Sequence, residues 1–144
     1  MPSYSRILGL DVGTKTVGVS VSDMLGMTAQ PVETVKIDSQ EGNLGFNRLS
    51  EIIQEYKPSK VVIGLPKHMN NDEGERAQAS RHYGEKLTDQ FGIPVDYQDE
   101  RLTTMQAEKV LIAGGTRRQN RKQHIDKLAA VLILQNYLDA HKMI

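Results

Sequence analysis

The sequence contains no cysteine among its 144 residues. A disulfide framework, a thiolate metal site and a thiol nucleophile are therefore excluded, and the composition fits a reducing cytoplasm. Aromatic residues make up only 5% of the chain, so binding of nucleic acid mainly by base stacking is not expected.

Net charge is also absent, because 18 Lys and Arg residues balance 18 Asp and Glu residues. A whole-surface attraction to nucleic acid or anionic lipid is therefore excluded, and any polyanion must bind to a local patch. The longest apolar run, residues 129–134, is far shorter than a membrane span, and the first residues lack the hydrophobic region of a signal peptide. We expect a cytoplasmic protein with no membrane partner.

The most informative stretch runs from Arg6 to Asp23. A short apolar run and an alternating one flank Gly13-Thr14-Lys15-Thr16, which predicts a tight β-hairpin. Asp11 lies within the first strand, where a short carboxylate is costly to bury unpaired. A backbone N–H of the following turn could compensate this charge, and so could a metal ion or a bound phosphate. This stretch alone leaves the two interpretations open.

Hydrophobic periodicity predicts the element order β β β α β α β α α. The strands are expected at 7–12, 17–21, 33–38, 60–65 and 95–99, and the helices at 46–56, 75–91, from 103 to 113, and from 122 or 123 to 138. Repeats and linkers are absent, so we expect one domain spanning 1–144. Strands joined by helices pair in parallel, which predicts an α/β fold with a mixed five-stranded sheet: an antiparallel three-strand meander plus two parallel strands, with helices on both faces.

Three acidic residues lie near the ends of predicted elements, at positions that the fold could bring together. Functional residues in such sheets lie beyond the carboxyl ends of the parallel strands, which brings Asp11 and Glu100 to one edge. Asp126 heads an otherwise apolar stripe on the last helix, where Ala129 and Ala130 would allow close approach to the sheet. Alternatively, Asp126 is an acid in a first helical turn, favoured by the helix dipole, and Glu100 is an ordinary acid before a helix start.

Three converging carboxylates would raise one another's pKa unless a cation lay among them. Ligands that are all oxygen favour Mg²⁺ or Mn²⁺. Two such ions, bound with the substrate and about 3.5–4 Å apart, activate an attacking water and stabilise the leaving oxygen in phosphodiester hydrolysis. This arrangement predicts a metal-dependent nuclease with Asp11, Glu100 and Asp126 as its catalytic metal ligands.

One cluster of positive charge precedes Asp126 and consists of Arg117, Arg118, Arg121 and Lys122. A short basic run is usually a solvated loop. Phosphate contacts from such a loop would position a nucleic-acid strand without reading its sequence, which favours structured RNA or branched DNA as the partner. Other cations that could extend this track are Lys15, Lys67, Arg76 and Arg101.

Four ordered motifs resemble the YqgF family, also called RuvX, of the RNase H-like superfamily; they are Asp11 to Asp23, Gly64-Leu65-Pro66, Asp99 to Thr104, and Ile125 to Ala130. The resemblance implies an RNase H-like fold and a cytoplasmic nuclease that uses Asp11, Glu100 and Asp126 to bind metal and catalyse hydrolysis. It implies 5′-end processing of pre-16S ribosomal RNA in ribosome biogenesis or, from the likeness to RuvC, Holliday-junction cleavage in DNA recombination and repair.

Two other function classes carry part of the same pattern. Asp-x-Gly-Thr at a hairpin also occurs in actin-like ATPases and sugar kinases, but those folds need two such domains. A non-catalytic nucleic-acid-binding module is the remoter alternative. The sequence leaves open RNA against DNA, endonucleolytic against exonucleolytic cleavage, and monomer against homodimer.

Overall fold

The computed structural model describes residues 6–38, 41–65, 74–99 and 118–141, without the side chains of Glu75 and of residues 118–127. Five strands occur in these ranges, and they are β1 (Ile7–Val12), β2 (Thr16–Ser22), β3 (Ala29–Lys36), β4 (Lys60–Leu65) and β5 (Val95–Asp99). The helices of these ranges are α1 (Phe46–Tyr56), α2 (Glu75–Phe91) and α3 (Arg118–Ala140). The helix expected from 103 to 113 lies outside the described residues.

The strands form one mixed sheet in the order β3-β2-β1-β4-β5. β1 pairs antiparallel with β2, and β2 pairs antiparallel with β3. β4 runs parallel to both β1 and β5. The expected meander with two added parallel strands is therefore confirmed. Among the described helices, none has the length and apolar character needed to cross a bilayer.

The two faces of the sheet are covered by different helices. On one face Leu8 and Leu10 pack in a buried cluster with Leu49 and Ile52 of α1 and with Leu87 of α2. On the other face, α3 covers Val62 of β4 with the buried side chains of Ile133, Leu134, Tyr137 and Leu138. Full burial of one such side chain contributes about 1.5–3 kcal/mol. The sequence expectation of helices on both faces is confirmed.

The apolar run of β4 follows from its place between these two layers. Val61 and Ile63 belong to the cluster under α1 and α2, whereas Val62 belongs to the cluster under α3, and all three are fully buried. A strand that is covered on both faces has no polar side to alternate with. This explains why the continuous run Lys60–Leu65 predicted the strand bounds correctly.

The predicted start of β3 was wrong, because the strand begins at Ala29 and ends at Lys36 rather than spanning 33–38. Pro31 lies inside it, opposite Ser20, next to a register shift between Val19 and Ser20. Proline cannot donate to a sheet ladder and normally argues against a strand. β3 is an edge strand, so the missing N–H is tolerated there.

Candidate active site

Asp11 lies one residue before the end of β1, between the buried side chains of Leu10 and Val12. Its own side chain is half-buried. Because successive side chains of a strand point to opposite faces, Asp11 points to the face opposite Leu10 and Val12, the face on which Gly9 also lies. Asp11 is therefore directed to the side of the sheet that α3 covers.

α3 touches the sheet almost backbone to backbone beside Gly9. The buried hydroxyl of Ser20 donates a hydrogen bond of 2.8 Å to the carbonyl oxygen of Ala130. A Cβ added to Gly9 would lie 2.4 Å from Ser20 Oγ and 2.8 Å from Leu134 Cβ. Ala129 and Ala130 are both fully buried. The expectation that these two small residues allow a close helix–sheet contact is confirmed.

The carboxyl-terminal half of α3 is held at the opposite end of the parallel strands. The Tyr137 hydroxyl accepts a hydrogen bond from Lys60 Nζ (2.9 Å) and donates one to Asp96 Oδ2 (2.7 Å). Lys60 begins β4 and Asp96 lies near the start of β5. The bond to Tyr137 raises the pKa of Lys60 and lowers the pKa of Asp96. Since Ala130 contacts β1 and β2 further along the strands, α3 runs antiparallel to β1.

The turn after Asp11 is held by two backbone hydrogen bonds, one within the turn and one from the residue that follows β3. Gly13 N–H donates to the carbonyl oxygen of Thr16 at 2.8 Å, and Ile37 N–H donates to the carbonyl oxygen of Lys15 at 2.9 Å. The Gly13 N–H, one of the donors that could have compensated Asp11, is therefore engaged within the hairpin.

The predicted start of α3 was wrong, and the correction changes the setting of two groups of site residues. The helix begins at Arg118 rather than at 122 or 123. Arg118, Arg121 and Lys122 thus belong to its first turns, not to a loop; arginine, glutamine and lysine are good helix formers even without an apolar stripe. Asp126 lies eight residues beyond Arg118. Dipole effects fade after the first turn, so the first-turn interpretation of Asp126 is also wrong.

Four predicted site residues lie outside the described residues: Lys67, Glu100, Arg101 and Arg117. The strands that precede Lys67 and Glu100, β4 and β5, end at the same edge of the sheet. Leu65, the last residue of β4, pairs with Asp99, the last residue of β5 and the neighbour of Glu100 in the sequence. β1 pairs with β4 up to Leu10 and Ile63 and ends at the same edge.

A cleft of about 300 Å³ opens between this hairpin and α2, on the face opposite Asp11. Arg76, a predicted binding residue, lines it together with Gly13 and Thr14, whereas Lys15 is exposed in the adjacent turn. His82 and Lys86 also line it, and sequence reasoning missed both. Positions 76, 79, 82, 83 and 86 share a broad face of α2 at helical spacing, and this pattern could have indicated His82 and Lys86.

Of the three predicted metal ligands, Asp11 is the one whose side chain the structure describes. No group of three His, Cys, Asp or Glu side chains able to hold a metal occurs within the described residues, which exclude Glu100 and the side chain of Asp126. A half-buried carboxylate at a strand end, in a chain without cysteine, fits a ligand for Mg²⁺ or Mn²⁺.

Comparison with known proteins gives close relatives over nearly the whole chain. The model of the RuvX family, described as "Holliday junction resolvase", matches residues 5–140. A protein of Lactococcus lactis subsp. cremoris (strain MG1363) named "Putative pre-16S rRNA nuclease" is 76% identical over 140 residues, covering 97% of this chain and 98% of that protein. A protein of the same name from Streptococcus agalactiae serotype III (strain NEM316) is 61% identical over 135 residues, covering 93% and 97%.

Solved structures share the fold at low sequence identity. RuvC of T. thermophilus in complex with a Holliday junction substrate has a TM-score of 0.59 and 20% identity, with 94% of each chain covered. The Fowlpox virus resolvase with Holliday junction DNA has a TM-score of 0.57 and 13% identity, covering 94% of this chain and 97% of that one. The fold is therefore RNase H-like, as in these resolvases. Given the match of the family model to residues 5–140 and the identity of its relatives, the chain belongs to the RuvX family.

Proposed function

We propose that the chain is a metal-dependent nuclease that hydrolyses phosphodiester bonds, with 5′-end processing of pre-16S ribosomal RNA in the cytoplasm as its main role. In this proposal Asp11, Glu100 and Asp126 are the catalytic metal ligands of a single RNase H-like domain spanning 1–144. The observation that carries it is the hydrogen bond from Ser20 Oγ to the Ala130 carbonyl oxygen, because it sets the height of α3 on the sheet beside Asp11.

The distances along β1 and α3, measured from the contact between Ser20 and Ala130, support the proposal that positions 11 and 126 lie close together. From Gly9 to Asp11, β1 advances two residues, or about 6.6 Å. From Ala130 back to Asp126, α3 covers four residues, or about 6 Å, and returns to nearly the same helix face. α3 runs antiparallel to β1, so both steps lead to the same edge. Glu100 follows Asp99, which ends β5 at that edge.

These carboxylates would hold Mg²⁺ or Mn²⁺, two ions once substrate is bound. Ions held there would supply activation of the attacking water and stabilisation of the leaving oxygen. The chain itself would fix the carboxylates in place. The packing of α3 on Gly9 and Ser20 supports this role, because it sets the position of the helix that carries Asp126 relative to β1, which carries Asp11. Arg118, Arg121 and Lys122 in the first turns of α3, with Arg117 and Arg101 nearby in the sequence, would neutralise substrate phosphates.

RNA is the substrate that the names of the Lactococcus and Streptococcus relatives favour. A second candidate is cleavage of a Holliday junction, which the family description and the fold shared with RuvC favour. A junction has two strands to be cut, so that activity would use a homodimer, whereas an end-processing nuclease can act as a monomer. Both candidates use the same carboxylates.

One cleavage panel tests the site and chooses between the substrates. Pre-16S leader RNA and a four-way DNA junction are each incubated with Mg²⁺ or Mn²⁺ and with wild type, Asp11→Asn, Asp126→Asn or the control Asp89→Asn, an exposed acid of α2. Both site variants should lose more than the roughly 10–100-fold that outer-shell changes cost, while Asp89→Asn keeps full activity. Wild-type rates with Asp126→Asn on both substrates would refute the proposed site.

A further inference from the structure

The cleft between the hairpin and α2, here called the α2 cleft, is not explained by the carboxylate site. It lies on the face of the sheet that α1 and α2 cover, whereas Asp11 points to the face under α3. Val12, Gly13 and Thr14, which line it, follow Asp11 directly in the chain. The two sites are thus separated only by the end of β1.

Positive charge lines the α2 cleft along its length. Arg76 and Lys86 lie ten residues apart on α2, about 15 Å along the helix axis, with His82 between them. Neither cation forms an ion pair with a residue in the described ranges, and no described acidic side chain lines the cleft. Two cations at the ends of one cleft, neither of them ion-paired within the part of the chain that the structure describes, favour a ligand that carries more than one negative charge.

The floor of the α2 cleft is apolar. Val12, Ile37 and Leu44 line it together with the buried ring of Tyr83, whose hydroxyl donates to the Leu44 carbonyl oxygen at 2.8 Å. Burial raises the pKa of Tyr83, so the ring stays neutral. A volume of about 300 Å³ lies at the lower end of the range of small-molecule sites and is too small for a duplex.

We propose that the α2 cleft binds one nucleotide of a single-stranded segment of nucleic acid. The base lies on the apolar floor, and the phosphates on its two sides meet Arg76 at one end and Lys86 at the other. A nucleotide inside a strand carries a phosphate on each side, which matches cations at both ends better than a free monophosphate does. The proposal rests on the proposed function for the source of the strand, since a strand that crosses the end of β1 would pass from the cleft to Asp11.

Binding can be measured without cleavage, in metal-free buffer containing EDTA, by anisotropy of a labelled trinucleotide. Competitors are a nucleoside 3′,5′-bisphosphate, a nucleoside monophosphate, inorganic phosphate and a polyglutamate peptide. The test variant is Arg76→Gln/Lys86→Gln. Its matched control is Arg81→Gln/Lys57→Gln, which removes one arginine from another face of α2 and one exposed lysine at the opposite end of the sheet. Ala79→Leu fills the cleft without changing its charge.

The trinucleotide should bind at least tenfold more weakly to the test variant and to Ala79→Leu, and with unchanged affinity to the control. Loss of two phosphate contacts should also make the negative slope of log K against log salt shallower by about 1.4. The bisphosphate should compete better than the monophosphate; the reverse order would make a free nucleotide, not a strand, the source of the bound unit and would overturn the strand assignment. The α2 cleft would be refuted as a nucleotide site if phosphate or polyglutamate competed as well as the bisphosphate. It would also be refuted if the test variant or Ala79→Leu bound the trinucleotide with wild-type affinity.

These outcomes are independent of the carboxylate site. A chain that binds the trinucleotide normally but never cleaves would refute the proposed function alone. A chain that cleaves through Asp11 while Arg76→Gln/Lys86→Gln binds normally would refute only the α2 cleft.

Discussion

At the scale of single residues, Gly9 decides how closely α3 approaches the sheet. The Ser20 hydroxyl, the Ala130 carbonyl and the Leu134 side chain all lie around the space that a side chain at position 9 would occupy. Glycine is disfavoured within strands by its entropy, and it is used there where another backbone passes close by. Gly9 is therefore a packing residue that sets how closely α3 lies to β1.

The substitution Gly9→Ala tests this packing. The new Cβ would lie 2.4 Å from Ser20 Oγ and 2.8 Å from Leu134 Cβ, so α3 must shift outward. We expect a loss of about 1–3 kcal/mol in the free energy of unfolding, as in other overpacked cores, measured by urea denaturation. If Asp11 and Asp126 are metal ligands as proposed, cleavage should fall further than the loss of stability explains, because an outward shift of α3 moves positions 11 and 126 apart. Full activity at an unchanged urea midpoint would contradict this account.

Two buried serines, Ser20 and Ser80, allow the contribution of one hydrogen bond to the free energy of unfolding to be measured. Ser20 donates to Ala130 at 2.8 Å, whereas the Ser80 hydroxyl has no partner within the described residues, and both are almost fully buried. Removing a satisfied hydroxyl costs about 1 kcal/mol, and removing an unsatisfied one is neutral or stabilising. In urea denaturation, Ser20→Ala should lower the unfolding free energy and Ser80→Ala should leave it unchanged or raise it. A larger loss with Ser80→Ala would reverse this assignment.

At the scale of elements, hydrogen bonds hold α3 to the sheet at well-separated points along its length. Near its middle, Ser20 binds the carbonyl of Ala130; toward its end, Tyr137 bridges Lys60 of β4 and Asp96 of β5. His141 stacks on the Tyr137 ring with centroids 4.1 Å apart. Gln135, between these points, also accepts a hydrogen bond from the Ala29 N–H at 2.9 Å. Contacts that are separated along the helix fix both its height and its tilt, which one contact would not do.

The bridge at Tyr137 predicts a pH-dependent stability. The hydrogen bond from Tyr137 lowers the pKa of Asp96, so the folded chain binds fewer protons here than the unfolded chain at acidic pH. The stabilisation is therefore complete above the ordinary aspartate pKa and is lost as the pH falls through the lowered value. Tyr137→Phe should lower the unfolding free energy at pH 7 but make little difference once Asp96 is protonated in both states.

Two further measurements check the same bridge. In Tyr137→Phe the pKa of Asp96, followed by carboxyl NMR, should move up toward its ordinary value. Tyr56→Phe serves as the control, because Tyr56 meets Arg6 through its ring rather than its hydroxyl. A constant stability difference between wild type and Tyr137→Phe from pH 7 down to pH 2 would show that Asp96 is not the linked group.

At the scale of the whole molecule, the sheet order gathers distant segments at one edge. β4 runs parallel to β1 and β5, so the ends of all three strands meet although 88 positions separate Asp11 from Asp99 (99 − 11). Parallel pairing with crossover connections makes this general for such sheets. A shared cation at this edge would join α3 to the sheet and should therefore stabilise the whole fold.

The dependence of stability on metal concentration tests whether a cation at this edge stabilises the fold. A ligand that binds only the folded chain adds RT ln(1 + [L]/Kd) to its stability, about 2.7 kcal/mol at one hundred times Kd. Millimolar Mn²⁺ or Mg²⁺ should raise the melting temperature of wild type, and EDTA should reverse the rise and abolish cleavage. Asp11→Asn should show a smaller rise, and Asp89→Asn the same rise as wild type. An equal shift in Asp11→Asn would place the bound metal elsewhere.

Sequence reasoning succeeded wherever one segment carried its own signals. The bounds of α1 were predicted correctly because an amphipathic stripe ends at Lys57-Pro58, and those of α2 because Gly92 adopts the left-handed conformation (φ 69°) after Phe91. It failed at Ala29, where a strand continues through Pro31, and at Arg118, where a helix begins without an apolar residue. The site assignments at Glu100 and Asp126 stay predictions, since those side chains lie outside the described residues.

Within the described residues, the sequence by itself determined which elements form, their order and the mixed sheet, because hydrophobic periodicity and turn residues act over a few neighbouring positions. Only the tertiary structure decided how α3 sits on β1, with Ser20 bonded to Ala130 across 110 positions, and that α2 and the hairpin enclose a basic cleft. Such contacts depend on which side chains are small enough, or reach far enough, to meet across elements distant in the chain. No local pattern records that fit, and the proposed chemistry at Asp11 depends on it.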